Sequence, residues 1–470
     1  MDADPLHGGN TRGVASTPTN LAPPVPANLA DTGLSQAFVL DLLTKVLYER
    51  GARSGNALSD HLCLPFAILD ELLMGLQKRH LVEVRGAEGH GRRAYVFDLT
   101  NEGRNRAREL LETNAYAGPA PVPSATYREW VKRQSARQEP VPRTRMHQGL
   151  DHLVLDEGFV DQLGPGINSG RSVFLYGPPG NGKTEIAFAV GDILGGHVHV
   201  PHAVLIGGQV VRVYDPNLHE PPDEGTSDGM SVEELDVDPD LLEDVPDHDP
   251  RFVRSRRPSV VVGGELTLDD LELKRSESRG VLEAPPQMKA NGGVFVLDDF
   301  GRQHVRPRDL LNRWMIPLDR GMDYLGLPTG HKLEIPFDCL VFFATNLDPT
   351  ELVEEAFLRR IRYKVRVPDP TREDFAEIMR RVCEAKGVRY DQSAVDRVFR
   401  DYYEGMGIPP RACHPGDLVA AVHDRARYLD VEPALEGDLL ADACRSYFID
   451  ISRSEGLRDP GSKEGHRRGP

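Results

Sequence analysis

The chain has 470 residues and a formal net charge of −17, from 56 Lys and Arg against 73 Asp and Glu, which argues against holding nucleic acid by bulk electrostatics and leaves only a local basic face for that role. Hydrophobic residues at 39% suffice for ordinary cores, and the length suggests roughly two to four domains. No apolar run reaches the ~18–20 residues of a membrane span, the acidic start lacks the h-region of a signal peptide, and five scattered cysteines without a C-x-x-C pair fit reduced thiols, so a soluble cytoplasmic protein without membrane insertion is expected.

Residues 1–34 are rich in Pro, Ala, Gly, Asn and Thr without periodicity, which predicts a disordered tail. From Ser35, Phe38, Val39, Leu42, Leu43, Val46 and Leu47 recur at helical spacing, and a short helix over Ala57–Leu62 and a third opening at Pro65 follow. Leu81–Val84 and Ala94–Phe97, joined by a Gly-rich turn, read as a hairpin, with a closing helix to about Glu112. This order over residues 35–115 resembles a winged helix-turn-helix domain. Such a unit either binds duplex DNA through helix 65–79 or docks protein. Asp70 and Glu71 stand where base contacts would be expected, whereas Arg85, Arg92 and Arg93 gather near the wing, so the charges favour docking without excluding DNA. Residues 116–150 read as a Pro-rich linker with a polar helix near Tyr127–Arg137, and a further helix is expected near Asp156–Leu163.

Val173–Tyr176 is an apolar strand feeding Gly177-Pro178-Pro179-Gly180-Asn181-Gly182-Lys183-Thr184, and Glu185 onward reads as a helix. This is G-x-x-x-x-G-K-[ST] in the strand–loop–helix context the motif needs. The loop and helix start over residues 177–185 would cradle phosphates, with the N–H groups of its non-proline residues and the new helix's positive end turned inward. Lys183 would reach the terminal phosphates of ATP, and the Thr184 hydroxyl would hold Mg2+.

His197 and His199 alternate on a strand and share a face, but no carboxylate or Cys nearby completes a metal set, so packed or surface histidines are expected. Glu220–Asp249 holds thirteen acidic residues, four prolines and no Lys or Arg, which predicts a solvated insertion (216–257 overall). The arginines at 251, 254, 256 and 257 behind it could fold back onto it. Val260–Leu268 looks like a strand running into a loop. Val294-Phe295-Val296-Leu297-Asp298-Asp299 is a buried strand delivering two acids to the phosphate side of a sheet. Asp298 would hold Mg2+ through its water shell, and Asp299 would polarise the attacking water. A helix near Arg308–Leu318 follows, then a hairpin over 322–335. Cys339–Asn346 is a second buried strand whose tip, Asn346, would orient water. Arg359 and Arg360 lie on a helix end, and Pro409-Pro410-Arg411 opens a late helix.

Together these residues resemble the AAA+ ATPase superfamily over about residues 150–450. GPPGNGKT is similar to its Walker A loop, VFVLDD to its Walker B strand, FFATN to sensor 1, AFLRRI to the arginine-finger region and the Pro-Pro-Arg element to sensor 2. The hairpin before FFATN resembles the pre-sensor-1 insertion clade of MoxR-type ATPases and magnesium chelatases. The resemblance implies an α/β fold, with a P-loop core of parallel sheet over 151–370 and a helical lid over 371–455, and a disordered tail is expected over 456–470. It also implies ATP hydrolysis in a homo-oligomeric ring, Arg360 rather than Arg359 as the finger reaching a neighbour's site, and Arg411 as the lid's sensor. Two departures stand out: Asp298-Asp299 replaces the family's usual Asp-Glu, and the GAFTGA loop of enhancer-binding activators is missing. An ATPase that remodels an unknown protein client, with the winged helix as adaptor, is expected ahead of a DNA-bound regulator.

Overall fold

The computed structural model describes residues 22–222, 246–276, 280–327, 330–352, 358–435 and 437–456. Its centre is a five-stranded sheet in the order Ser259–Val262, Val294–Leu297, Leu340–Thr345, Ser172–Tyr176 and Tyr363–Arg366. Every pairing is parallel, with Val296 beside Phe342, Phe342 beside Val173 and Tyr363 beside Val173. Parallel sheets are covered on both faces, which is why these strands are nearly continuous apolar runs. Side chains alternate across the sheet. Val173, Leu175, Val296 and Phe342 enter one buried cluster with Ile186 and Leu163, and Phe174, Phe295, Leu297 and Phe343 enter the other with Phe300 and Trp314. Three strands therefore end at one edge, carrying Gly177, Asp298 and Asn346.

The hairpin pairs Met322–Gly326 with Lys332–Pro336, Met322 opposite Pro336. The expected turn residues Pro328 and Thr329 lie outside the described residues. A second five-stranded sheet was not expected. It joins Lys274–Arg275, Val281–Glu283, Gln209–Arg212, Ala203–Ile206 and Val122–Pro123.

Its last strand corrects the reading of 116–150 as a linker. Val122–Pro123 runs parallel to Ala203–Ile206, and the helix Ser124–Arg133 buries Tyr127, Trp130 and Val131. Those three residues have the i, i+3, i+4 spacing of one helix face, a stripe that the Pro-rich composition obscured. Asn291 donates a 2.8 Å hydrogen bond to the buried Tyr127 hydroxyl.

The N-terminal unit has helices Gln36–Arg50, Gly55–Leu62 and Phe66–Lys78, a three-stranded antiparallel sheet and the helix Asn101–Thr113. Ser35 caps the first helix by accepting from the Phe38 N–H at 3.2 Å. Strand Arg53–Ser54, beside Tyr95–Leu99, was not foreseen. The expectation of disorder through residue 34 also fails for residues 22–34. Thr32 and Leu34 are buried, the Asp249 N–H donates to Pro23 O at 2.8 Å, and the Arg251 guanidinium donates to Thr32 O at 2.9 Å. Arg251 and Asp249 form a 2.7 Å ion pair whose side chains are each 3% exposed. Of the four arginines expected to fold back, Arg251 does so onto Asp249, whereas Arg257 donates to the carbonyls of Gly195, Gln134 and Gly292. Residues 223–245 of that run, and the termini 1–21 and 457–470, lie outside the described residues.

The C-terminal helices Arg372–Lys386, Gln392–Val398, His414–Leu429 and Gly437–Gly456, with a π-helical turn at Phe399–Glu404, enclose a buried cluster of their own around Phe375, Tyr403, Leu418 and Phe448. Thr371 and Asp374 make a capping box at its start. Among the described residues, no helix is long and apolar enough to cross a membrane.

Candidate functional site

The loop after Ser172–Tyr176 turns on glycines with left-handed φ. Gly177 has φ +141°, and a Cβ there would lie 2.2 Å from Val367 O. Gly180 has φ +78°, and a Cβ would lie 2.5 Å from Cys413 Sγ. Only glycine fits both places. The helix Lys183–Leu194 starts at Gly182 without a side-chain cap, so its first N–H groups remain for an anion at its positive end.

Lys183 is 7% exposed. Its ammonium donates to Gly177 O at 3.0 Å, Pro178 O at 2.8 Å and Asn346 Oδ1 at 2.7 Å. Burial lowers its pKa, Asp298 and Asp299 oppose that fall, and the Arg411 charge adds to it. The Thr184 hydroxyl donates to Asp298 Oδ2 at 2.8 Å, and Asn346 Nδ2 donates to Asp299 Oδ1 at 3.0 Å. Asp299 sits at φ +48°, a left-handed conformation that Asp tolerates better than most residues. Five side chains from three segments thus form one cluster: an ammonium, a hydroxyl, two carboxylates and an amide. Such hard oxygen donors suit a small divalent cation.

Sequence reasoning missed Gln303. Its side chain donates to Asp298 O at 2.9 Å and accepts from the Gly301 N–H at 2.8 Å, fixing the loop beyond the two acids. It lies past the apolar strand that marks the motif, so no pattern flagged it.

The helical lid meets the phosphate loop directly. Asn181, 5% exposed, donates to Pro368 O at 3.0 Å and to Asp369 Oδ1 at 2.8 Å, and it accepts from the Ala412 N–H at 3.1 Å. The Cys413 N–H donates to Gly180 O at 2.9 Å, and the Arg411 guanidinium donates to Asp369 Oδ1. Beside these contacts lies a cavity of about 390 Å3, lined by Leu153, Leu155, Ile186, Ile378, Val382 and Glu185 among others. Arg381 donates to Asp151 O at 2.7 Å and ties the lid to the segment forming its wall. Apolar walls beside a glycine loop and an uncapped helix N-terminus suit a planar ring.

Arg360 lies outside this cluster and donates to Asp319 at 3.2 Å; Arg359 is exposed nearby. Pro179 is exposed at the loop's crest. His199 is buried, its ring 5.3 Å from His197 and 5.0 Å from His248. Burial holds its pKa down to about 3, so it is neutral. Among the described residues there is no metal-binding cluster of His, Cys, Asp or Glu, and all five cysteines are free thiols. The Glu265 carboxylate, in the loop after Ser259–Val262, accepts from the Gly263 N–H at 3.0 Å.

A family model described as "Domain of unknown function (DUF8689)" matches residues 371–446, the span of the helical lid. No curated protein matches the chain. Among solved structures, NtrX from Brucella abortus is similar at 15% identity with a TM-score of 0.37, covering 60% of this chain and 52% of that one. The Thermotoga maritima RuvB P216G mutant is similar at 14% identity with a TM-score of 0.36, covering 66% and 75%. The T. maritima RuvB Holliday junction branch migration motor gives 14%, 0.34, 63% and 70%. The chain thus spans about half the length of the NtrX chain.

Proposed function

We propose that this chain binds ATP with Mg2+ and hydrolyses it to ADP and phosphate as a member of the AAA+ superfamily. The observation that carries this is the meeting of Lys183, Thr184, Asp298, Asp299 and Asn346 at one edge of the parallel sheet. The triphosphate lies on the glycine loop and the helix N-terminus, with Lys183 on its terminal oxygens, and the base enters the cavity under the lid. Thr184 and Asp298 would hold Mg2+, which supplies neutralisation of the phosphate charge. Asp299, positioned by Asn346, accepts a proton from the water that attacks the terminal phosphorus as the bond to ADP breaks. Calorimetry of ATP with wild type, Lys183→Ala and Asp299→Asn tests the reading. ATP should bind wild type and Asp299→Asn but not Lys183→Ala, and Asp299→Asn should scarcely release phosphate. Equal affinity of Lys183→Ala and wild type would overturn it.

Within the same proposal, the chain assembles as a ring, Arg360 completes a neighbour's site, and the work done is remodelling of a protein client. The N-terminal unit is read as a winged helix that docks protein. Arg92 is tied to Asp70 at 2.7 Å and Arg85 to Asp98 at 2.9 Å, so two wing arginines already have carboxylate partners. The helix Phe66–Lys78 also shows Glu71 and Met74 to solvent. A duplex-binding regulator is the second reading, and a steep salt dependence of random-duplex binding by the full chain would favour it.

A further inference from the structure

Asp369 lies on the connection between the last strand of the sheet and the lid, and its Oδ1 serves two partners. The Asn181 amide reaches it from the phosphate loop, at 2.8 Å, and the Arg411 guanidinium reaches it from the lid. Asn181 spends its other polar atom on the Ala412 N–H, the residue next to Arg411. One side chain of the phosphate loop therefore touches both the carboxylate that holds Arg411 and the backbone that carries it. Arg411 is 20% exposed and Asp369 29% in this pair, and the Arg411 charge is near enough to affect Lys183. A polyphosphate on the loop brings several anionic oxygens into the same region, so two kinds of anion compete for one guanidinium.

Resting on the ATP-binding reading above, we propose that Asp369 is a positioning residue, an ionic latch that holds Arg411 off the phosphate site until a nucleoside triphosphate takes it. Asn181 keeps the latch in register with the loop. The latch is self-limiting: each contact Arg411 makes with a terminal phosphate is gained at the expense of Asp369. A diphosphate offers less to compete with, so the lid stays latched with ADP and is drawn over by ATP.

The test is a double-mutant cycle read by calorimetric titration of the full chain with ATP and with ADP, each with Mg2+. Asp369→Asn keeps an oxygen for the Asn181 amide while removing the charge, so it should fold as wild type does. It should tighten ATP roughly tenfold, in the range seen for directly contacting pairs, and ADP distinctly less. In an Arg411→Ala background the same change should give no gain. A gain that persists without Arg411, or that is equal for ATP and ADP, would mean that Asp369 merely repels anions, and the latch would be overturned. Unchanged ATP affinity in Asp369→Asn would overturn it equally. Failure of ATP to bind wild type would instead refute the reading beneath it, so the two failures are distinct.

Discussion

Gly180→Ala tests whether the lid is seated on the phosphate loop in solution. The perturbation has two separable parts. Alanine must adopt the φ of +78° recorded for Gly180, which costs an L-residue about 1–2 kcal/mol. Its Cβ would also meet Cys413 Sγ at 2.5 Å, an overlap whose relief by shifting the lid costs about 1–3 kcal/mol. The sum of about 2–5 kcal/mol corresponds to a fall of roughly 4–20 °C in the unfolding temperature, at about 2–4 °C per kcal/mol for a domain of 150–250 residues. The two parts come apart in the double variant. With Cys413→Ala the nearest lid atoms become the residue 413 Cβ at 3.6 Å and the Arg411 Cβ at 3.7 Å, both ordinary contacts. Cys413 is exposed, so Cys413→Ala alone should change stability by less than about 0.5 kcal/mol. Gly180→Ala with Cys413→Ala should therefore recover the overlap part and keep only the backbone strain. Thermal unfolding of the four proteins reads the cycle. If the two changes add within about 0.5 kcal/mol, the thiol is not held against the loop, and tight seating of the lid at Gly180 is refuted.

Two more outcomes follow from the placement of charged groups. Arg360→Ala and Lys183→Ala should each lack ATPase activity, the first by the roughly 10³–10⁵-fold worth of an arginine finger, yet their mixture should recover part of it. A mixture as dead as its components would show that each site is complete within one chain. Arg251→Ala should destabilise by about 3–5 kcal/mol, because it leaves the Asp249 carboxylate buried without its partner. It should also expose residues 22–34 to protease, since the guanidinium holds Thr32 O. Unchanged unfolding and proteolysis would refute the clamp.

The strand tips at one edge of the central sheet were well legible in the sequence and the scaffold around them poorly, for a physical reason. Val173–Tyr176, Val294–Leu297 and Leu340–Thr345 are apolar runs that end in loops of distinctive chemistry, so both the strands and their tips were legible. The hairpin was legible because its two halves lie close in the chain. The second sheet is assembled from strands as short as Val122–Pro123 and Lys274–Arg275, two residues each. Two residues carry no period, and the partner of Val122–Pro123, Ala203–Ile206, lies about eighty residues away. The buried state of Lys183 was equally hidden, because its acceptors are two backbone carbonyls and the Asn346 amide, which only the folded loop brings together. Asp369 looked like one more polar residue between two prolines.

The distribution of apolar contacts says which part of the molecule nucleotide can move. The N-terminal unit shares a continuous buried cluster with the second sheet, because Leu42, Leu69 and Phe97 belong to the same cluster as Ala203, Val210 and Val281. Separating them would expose apolar surface at about 25 cal/mol per Å2. The lid is different. Its buried cluster draws only on its own residues, from Phe375 to Phe448. It meets the loop through hydrogen bonds and one ion pair around a cavity. Hydrogen bonds are exchanged for others at little net cost where new partners are supplied, and low-stability contacts are where conformational change is drawn from. A ligand that offers phosphate oxygens to Arg411 and apolar surface to Ile378 and Val382 changes the lid's contacts while leaving the N-terminal unit's core intact. The N-terminal unit and the second sheet thus share one apolar core, and the lid is the part whose polar contacts a ligand can exchange.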